Sequence, residues 1–285
     1  MELIFEKMHG LGNDFVIFDQ ADQHAVEAIT AQAAEIADRR CGIGCDQILI
    51  ITKAAETDAR LIILNSDGSR AEACGNGTRC VAEVMMRRLG KDHVAMISDG
   101  GTLEAWRSSQ SEVSVNMGQP RFSWQEIPLR LETDPSALHL HDDLPAGMAV
   151  NIGNPHCVFV VPDAEMAPVA ELGPVIETHP MFPEKTNVEF ISLLDTDHIR
   201  MRVWERGAGI TLACGSGATA AAIAAHQLGL TSHQVKVDLD GGRLMIDWGM
   251  DGAVMTGPTC HVFQGRLTLP LVPRKSFDTA KGQSS

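Results

Sequence analysis

The chain has 285 residues, enough for one large or two medium domains that each bury a core without a disulfide or metal staple. Its hydrophobic fraction of 44% is ordinary for a globular chain. A formal net charge of −14 with scattered acidic residues provides no basic stripe, which excludes nucleic acid as a partner.

The start, MELIFEKMHGLGNDF, mixes Glu and Lys into its apolar part, so no secretory leader is expected. No run approaches ~20 apolar residues, so no membrane partner is expected either. Seven cysteines without CxxC or finger spacing point to reduced thiols in a cytoplasm rather than a disulfide frame.

Residues 3–5 and 15–18 are rich in β-branched and aromatic side chains, and the turn His9-Gly10-Leu11-Gly12-Asn13 between them predicts a hairpin. The Ala-rich run 25–40 puts Ile29, Ala33, Ile36 and Ala37 on one face, which predicts a helix ended near Gly42. Gln47 opens a strand over 48–51, and a strand over 60–64 delivers Asn65 at its end. Residues 66–77 are turn-forming; the helix expected over 78–89 buries Val81, Ala82, Met85 and Leu89. Strands are expected over 94–97, 101–106 and 113–117.

The Pro- and charge-rich segment 120–147 reads as a domain boundary followed by edge structure. Beyond it the plan recurs, with strands over 149–152, 157–161, 187–193 and 199–204 and a short helix near 169–176. A helix over 218–228 is apolar on nearly every face, as in a helix wrapped by sheet. Final strands are expected over 243–248, 253–256, 261–264 and 267–271. The organisation is an N-terminal lobe over 1–120 completed by 265–277, a C-terminal lobe over 121–264, and a flexible tail over 278–285. Strands mostly too closely spaced for βαβ crossovers predict mixed or antiparallel sheets in an α/β (α+β) chain rather than a Rossmann fold.

Two stretches are twins. Residues 65–90, NSDGSRAEACGNGTRCVAEVMMRRLG, and 202–229, RVWERGAGITLACGSGATAAAIAAHQLG, each lead from a strand end through a Gly-rich turn and the pattern Ala-Cys-Gly-x-Gly into a helix closed by Gly. Cys74 and Cys214 therefore hold equivalent places, 140 positions apart. A single cysteine is usually a small buried hydrophobe. Two in matching contexts at helix starts are better read as a functional pair.

A helix N-terminus offers unpaired N–H groups and partial positive charge, which favour a thiolate by about 0.3–2 kcal/mol. With ~1.36 kcal/mol per pKa unit, the dipole alone lowers a thiol by up to about one unit, toward a usable base near neutrality. Two such thiols on opposite faces of a carbon acid perform an inversion, one removing a proton while the other delivers one. The carbanion must also be held by its carboxylate in a dry site, a task for Asn, Gln, Arg and helix-end amides.

MHGLGNDF at 8–15, CDQIL at 45–49, NSDGSRAEACGNGTRC at 65–80, NIGNPHCV at 151–158, TNVEF at 186–190 and ERGAGITLACGSGA at 205–218 together resemble the diaminopimelate epimerase family. The resemblance implies a cofactor-independent isomerase interconverting LL- and meso-diaminopimelate, on the route to lysine and peptidoglycan. It implies two pseudo-symmetric lobes, each a sheet wrapped round a central helix, with the site in the cleft, and a homodimer. Carried onto matching positions, it makes Cys74 and Cys214 the acid/base thiols, tuned by His156 and Glu205. It makes Asn13, Gln47, Asn65, Asn154, Asn187, Glu205 and Arg206, with Gly75-Asn76 and Gly215-Ser216, the substrate-binding set. Ile210 and Thr219 depart from the commonest family pattern, where Glu and Cys are frequent, and tuning rather than loss of activity is expected from them.

Cys41 and Cys45 lack a third and fourth ligand, so no metal is expected. Cys80, Cys157 and Cys260 read as packing residues. No lysine sits in a recognisable pyridoxal phosphate context, so no cofactor is expected. The alternatives are a proline or hydroxyproline racemase of the same fold, which has no use for a pocket holding a second charged end, and a thiol redox protein cycling through a Cys74–Cys214 disulfide. Deuterium uptake by each amino acid separates the former from the diaminopimelate reading.

Overall fold

The computed structural model describes residues 1–271; the tail expected over 278–285 and the last part of 265–277 lie outside the described residues. The first half runs β1 (Glu2–Gly10), β2 (Asn13–Phe18), α1 (Gln23–Ala31), α2 (Ala33–Ala37), β3 (Gln47–Thr52), β4 (Ala59–Asn65), β5 (Arg70–Ala71), α3 (Gly75–Leu89), β6 (His93–Ser98), β7 (Gly101–Arg107) and β8 (Glu112–Asn116). The second runs β9 (Met148–Asn151), β10 (Pro155–Val160), α4 (Val169–Glu177), β11 (Asn187–Asp195), β12 (His198–Glu205), β13 (Gly209–Ile210), α5 (Gly215–Gln227), β14 (Gln234–Leu239), β15 (Gly242–Gly249) and β16 (Gly252–Pro258), and β17 (Cys260–Thr268) follows.

The duplication extends to strand pairing. β2 and β3 are parallel with Phe15 opposite Gln47, and β10 and β11 are parallel with His156 opposite Asn187. β3 then pairs antiparallel with β4 and β4 with β5, as β11 does with β12 and β12 with β13. After each helix the chain returns parallel to the same strand, β6 on β4 and β14 on β12. Among the described residues two strand pairings join the halves: β8 pairs with β16, Val115 opposite Met255, and β17 pairs with β1, Glu2 opposite Thr268. The result is a mixed α/β fold built on one 17-stranded mixed sheet.

Each half closes its sheet around one helix. α3 fills the first with Cys80, Val81, Ala82, Val84 and Met85, all buried. α5 is buried along Ala218–Ala225, and its small side chains let strands β9 to β12 and β14 to β16 approach it from all around. Among the described residues no helix is long and apolar enough to cross a membrane.

Several local expectations are corrected. The helix over 25–40 is two helices, broken at Gln32 (φ −125°, ψ 24°), because burying Ile29 and Ile36 against the same sheet requires a change of direction. Leu89 is 39% exposed, since Gly90 at φ 64° turns the chain outward there. β14 is an additional strand, and the last two expected strands are the single β17, paired along β1 with one shift of register between Lys7 and Met8. Cys260 at its start is exposed, whereas Cys80 and Cys157 are fully buried. The segment 120–147 does more than edge the sheet, for Ile127, Leu129, Leu138 and Leu140 form a core with Phe159 and Phe190, whose rings stack at 5.7 Å.

Candidate active site

Cys74 is the N-cap of α3 and Cys214 the N-cap of α5, and each is the end of an extended segment leading out of its own half. Their sulfurs accept from the backbone N–H three residues later, Gly77 N at 3.4 Å and Gly217 N at 3.3 Å. The two helix starts meet. A Cβ on Gly215 would stand 3.4 Å from the Gly75 Cα, and the Met255 side chain from β16 presses on both glycines. Asn76 completes the junction by donating its Nδ2 to the Ala213 carbonyl at 3.0 Å, one residue before the second thiol. Glu205 acts electrostatically on both sulfurs.

The helix-end N–H groups do not bring these thiols to neutrality by themselves. Burial is the largest influence on Cys74 and pushes it up to about 12 against the lowering effect of Gly77 N–H, Arg79 and Asn76 N–H. Cys214 is pushed well above the usual thiol range, first by burial and then by Glu205 and Glu189. Removal from water outweighs the dipole here, and a positive charge in the site is needed to offset it.

Around Cys74, Asn13 Oδ1 stands 3.9 Å from the sulfur and accepts from Asn76 Nδ2 at 3.3 Å. Gln47 and Asn65, opposite each other on β3 and β4, are linked by a 2.9 Å bond from Gln47 Nε2 to Asn65 Oδ1. Gln47 Oε1 is buried without a partner, an acceptor left for a donor from outside.

Around Cys214, Ser216 Oγ is 3.6 Å from the sulfur, and Thr211 hydrogen-bonds the Glu205 carboxyl. Burial raises the pKa of Glu205 against hydrogen bonds from Thr211 and Cys214. Asn154 Oδ1 meets His156 Nε2 at 2.8 Å. Asn187 is buried, accepting from the Arg206 backbone N–H at 2.9 Å and donating to the Pro155 carbonyl at 3.0 Å, so it braces the strand ends. The Arg206 guanidinium turns to the Glu184 carbonyl at 3.1 Å, away from the thiols.

Two buried charges escaped the sequence reading. Glu189 is fully buried and bonded to His156 Nδ1 at 2.7 Å; its other oxygen has no partner, and burial raises its pKa against the imidazole. Arg79 is fully buried as well. The available signal was the 140-residue offset, which sets Glu189 against Leu49 and Arg79 against Thr219.

Asn13 is itself held by charge. Its Nδ2 donates to Asp46 at 2.8 Å, and Arg39 spans Asp14 at 2.6 Å and Asp46 at 2.7 Å. Burial works to raise Asp14, but the bonds from Arg39 and Lys7 outweigh it and hold the carboxyl far below its ordinary value of 3.8. A depressed carboxyl contributes stability that is present above its unfolded value and lost as the pH falls below about 4. Melting Asp14→Asn beside the parent is expected to show a deficit of ~2–4 °C at pH 7, about 1 kcal/mol, that shrinks at pH 3. An equal deficit at both pH values contradicts this account.

A family model described as diaminopimelate epimerase matches residues 5–123 and 148–262. The chain is 49% identical over 270 residues to the diaminopimelate epimerase of Phenylobacterium zucineum, covering 92% of this chain and 97% of that one. It is 46% identical over 271 residues to that of Rhizorhabdus wittichii, covering 94% and 97%. Among solved structures, a hydroxyproline epimerase from Agrobacterium vitis with bound trans-4-hydroxy-L-proline superposes with a TM-score of 0.68 at 13% identity, covering 93% and 91%. That likeness is one of fold.

Proposed function

The chain belongs to the diaminopimelate epimerase family, and from that premise we propose that Cys74 and Cys214 are the two acid/base groups acting on one α-carbon. The activity is the isomerisation of LL- to meso-diaminopimelate and back. The observation that carries the residue assignment is the meeting of two thiol-capped helix starts, one from each half of a duplicated fold.

In this reading the α-carbon lies between the sulfurs. One sulfur, as thiolate, takes the α-proton; the C–H electron pair passes into the α-carboxylate as an enediolate. The other thiol then gives its proton to the opposite face, so the pair ends with its single missing proton exchanged between sulfurs. Reversal exchanges the roles. The first-turn amides of α3 and α5 hold the α-carboxylate, as helix N-termini hold anions. Asn13 and Gln47 Oε1 accept from ammonium groups, and the substrate ammonium supplies the positive charge that the buried thiols require. Arg206 turns from the Glu184 carbonyl to a distal carboxylate. Seven free cysteines suit a reducing cytoplasm.

Incubation with LL- or meso-diaminopimelate in heavy water is the direct test. Each isomer is expected to give the other carrying one deuterium at the inverted centre. Binding without deuterium uptake overturns the reading.

A further inference from the structure

The guanidinium of Arg79 is fully buried, and its partners are neutral: Asn76 Oδ1 at 2.9 Å and the Met255 sulfur at 3.2 Å. Among the described residues its Nε has no hydrogen-bond partner. It lies in a slot between β1 and β16, where a Cβ on Gly10 would come within 3.1 Å and one on Gly257 within 3.4 Å of it. The ionisable groups acting on it are Cys74 and Cys80. Burial lowers its pKa to about 10, so it remains a cation at neutral pH. An uncompensated buried charge is strongly destabilising. Its negative counterpart is therefore expected at the site it faces.

The duplicated half shows what the fold does without this cation. Thr219 stands in its place, with its hydroxyl turned back to the Gly215 carbonyl at 2.9 Å. The second half instead carries acid: Glu189 occupies the place of Leu49 and His156, by strand register, that of Phe15. Equivalently paired strands thus surround the two sulfurs with unlike charged groups. Arg79 and Glu205 act electrostatically on Cys74; Glu205 and Glu189, the latter paired with His156, act on Cys214. Cys80, also beside Arg79, is pushed to about 12 by burial and stays neutral.

We propose that Arg79 is a positioning residue for the epimerisation: a fixed internal cation that holds the negative charge of the thiol pair on Cys74 and, through Asn76, braces the start of α3 against the segment entering Cys214. The brace is a relay. Arg79 fixes Asn76 Oδ1, which orients Nδ2 toward the Ala213 and Asn13 oxygens. The proposal rests on the reading of Cys74 and Cys214 as the acid/base pair.

The test is the pH dependence of alkylation by iodoacetamide, followed at each cysteine by peptide mass spectrometry on the reduced full-length protein. In the parent, Cys74 is expected to reach half its limiting rate about one pH unit or more below Cys214. Arg79→Met is expected to raise that midpoint at Cys74 by about one unit, to move the acid limb of kcat/KM upward with it, and to slow turnover at pH 7 about tenfold. Arg79→Lys keeps the charge and is expected to hold the midpoint within about half a unit while KM rises as the brace loosens. A purely structural role lowers melting temperature and activity at every pH without moving either midpoint. A folded Arg79→Met with an unmoved profile overturns the proposal, and so does a parent in which Cys214 reacts at lower pH than Cys74, a result that needs no variant to fold. The underlying two-thiol reading fails separately, if a single-cysteine variant still epimerises.

Discussion

Cys74→Ser and Cys214→Ser each lose stereoinversion in both directions, with kcat expected to fall by about 10⁴ or more. In the proposed mechanism every turnover uses both sulfurs, one as base and one as acid, and general acid–base catalysis contributes about 10²–10⁴ per positioned group. A serine hydroxyl loses its proton far less readily than a thiol. Serine is nevertheless the informative replacement. Both cysteines are N-caps accepting from Gly77 and Gly217 amides, and serine is among the best N-cap residues, so the helix starts keep their partner. Folding and chemistry are thereby separated: melting temperature should stay within a few degrees of the parent while inversion disappears. Circular dichroism of each diaminopimelate isomer, followed alongside thermal melts, reads both. Turnover of either variant within about tenfold of the parent removes the central assignment.

Much of this site was written in the repeat of Ala-Cys-Gly-x-Gly, because a helix start fixes where its cap residue lies and a duplicated sheet fixes where the second start lies relative to the first. Asn13, Gln47, Asn65 and Asn187 came instead from the resemblance to the diaminopimelate epimerase family, because a lone amide at a turn or strand end carries no such signal. Glu189 did not, because in the strand NVEFISLL a single acid reads as an outward-facing alternation, and only the fold reveals that both faces of β11 are covered. Arg79 was hidden for a related reason. A cation on a helix is expected to reach water, and nothing local announces that β1 and β16 close over it with glycines. The thiols were misjudged in the other direction, for the helix dipole is legible in sequence while the dehydration that outweighs it is a property of the assembled cleft. Likewise the break at Gln32 comes from the sheet beneath α1 and α2, against a composition that favours continuing the helix.

The unequal surroundings of the two sulfurs predict unequal tolerance at the paired glycines one turn into each helix, and Gly217→Ala is expected to be the more damaging by far. A Cβ there would stand 2.8 Å from Glu189 Oε1 and 3.1 Å from the Cys214 sulfur. Neither can yield cheaply, since Glu189 is tied to His156 at 2.7 Å and the sulfur, accepting from the Gly217 N–H at 3.3 Å, is the atom proposed to react. At the equivalent Gly77 the neighbours are a Leu49 methyl at 3.1 Å and the Cys74 sulfur at 3.3 Å, and a leucine can shift its rotamer by a few tenths of an ångström. Alanine gains up to ~1 kcal/mol in helix propensity at either place. Overpacking costs about 1–3 kcal/mol, and the upper end applies where the displaced group is a buried carboxylate whose second oxygen already lacks a partner. Gly77→Ala should therefore melt close to the parent and lose no more than about tenfold in kcat. Gly217→Ala should melt several degrees lower, and displacing its sulfur by a fraction of an ångström to about 1 Å should cost ~10²-fold or more in kcat. The double variant with Glu189→Leu removes the carboxylate and restores the pairing found in the first half, so it should recover the lost stability while leaving turnover low. Equal loss of activity at the two glycines, or no recovery of melting temperature in the double variant, means that the buried acid does not shape the second thiol's surroundings.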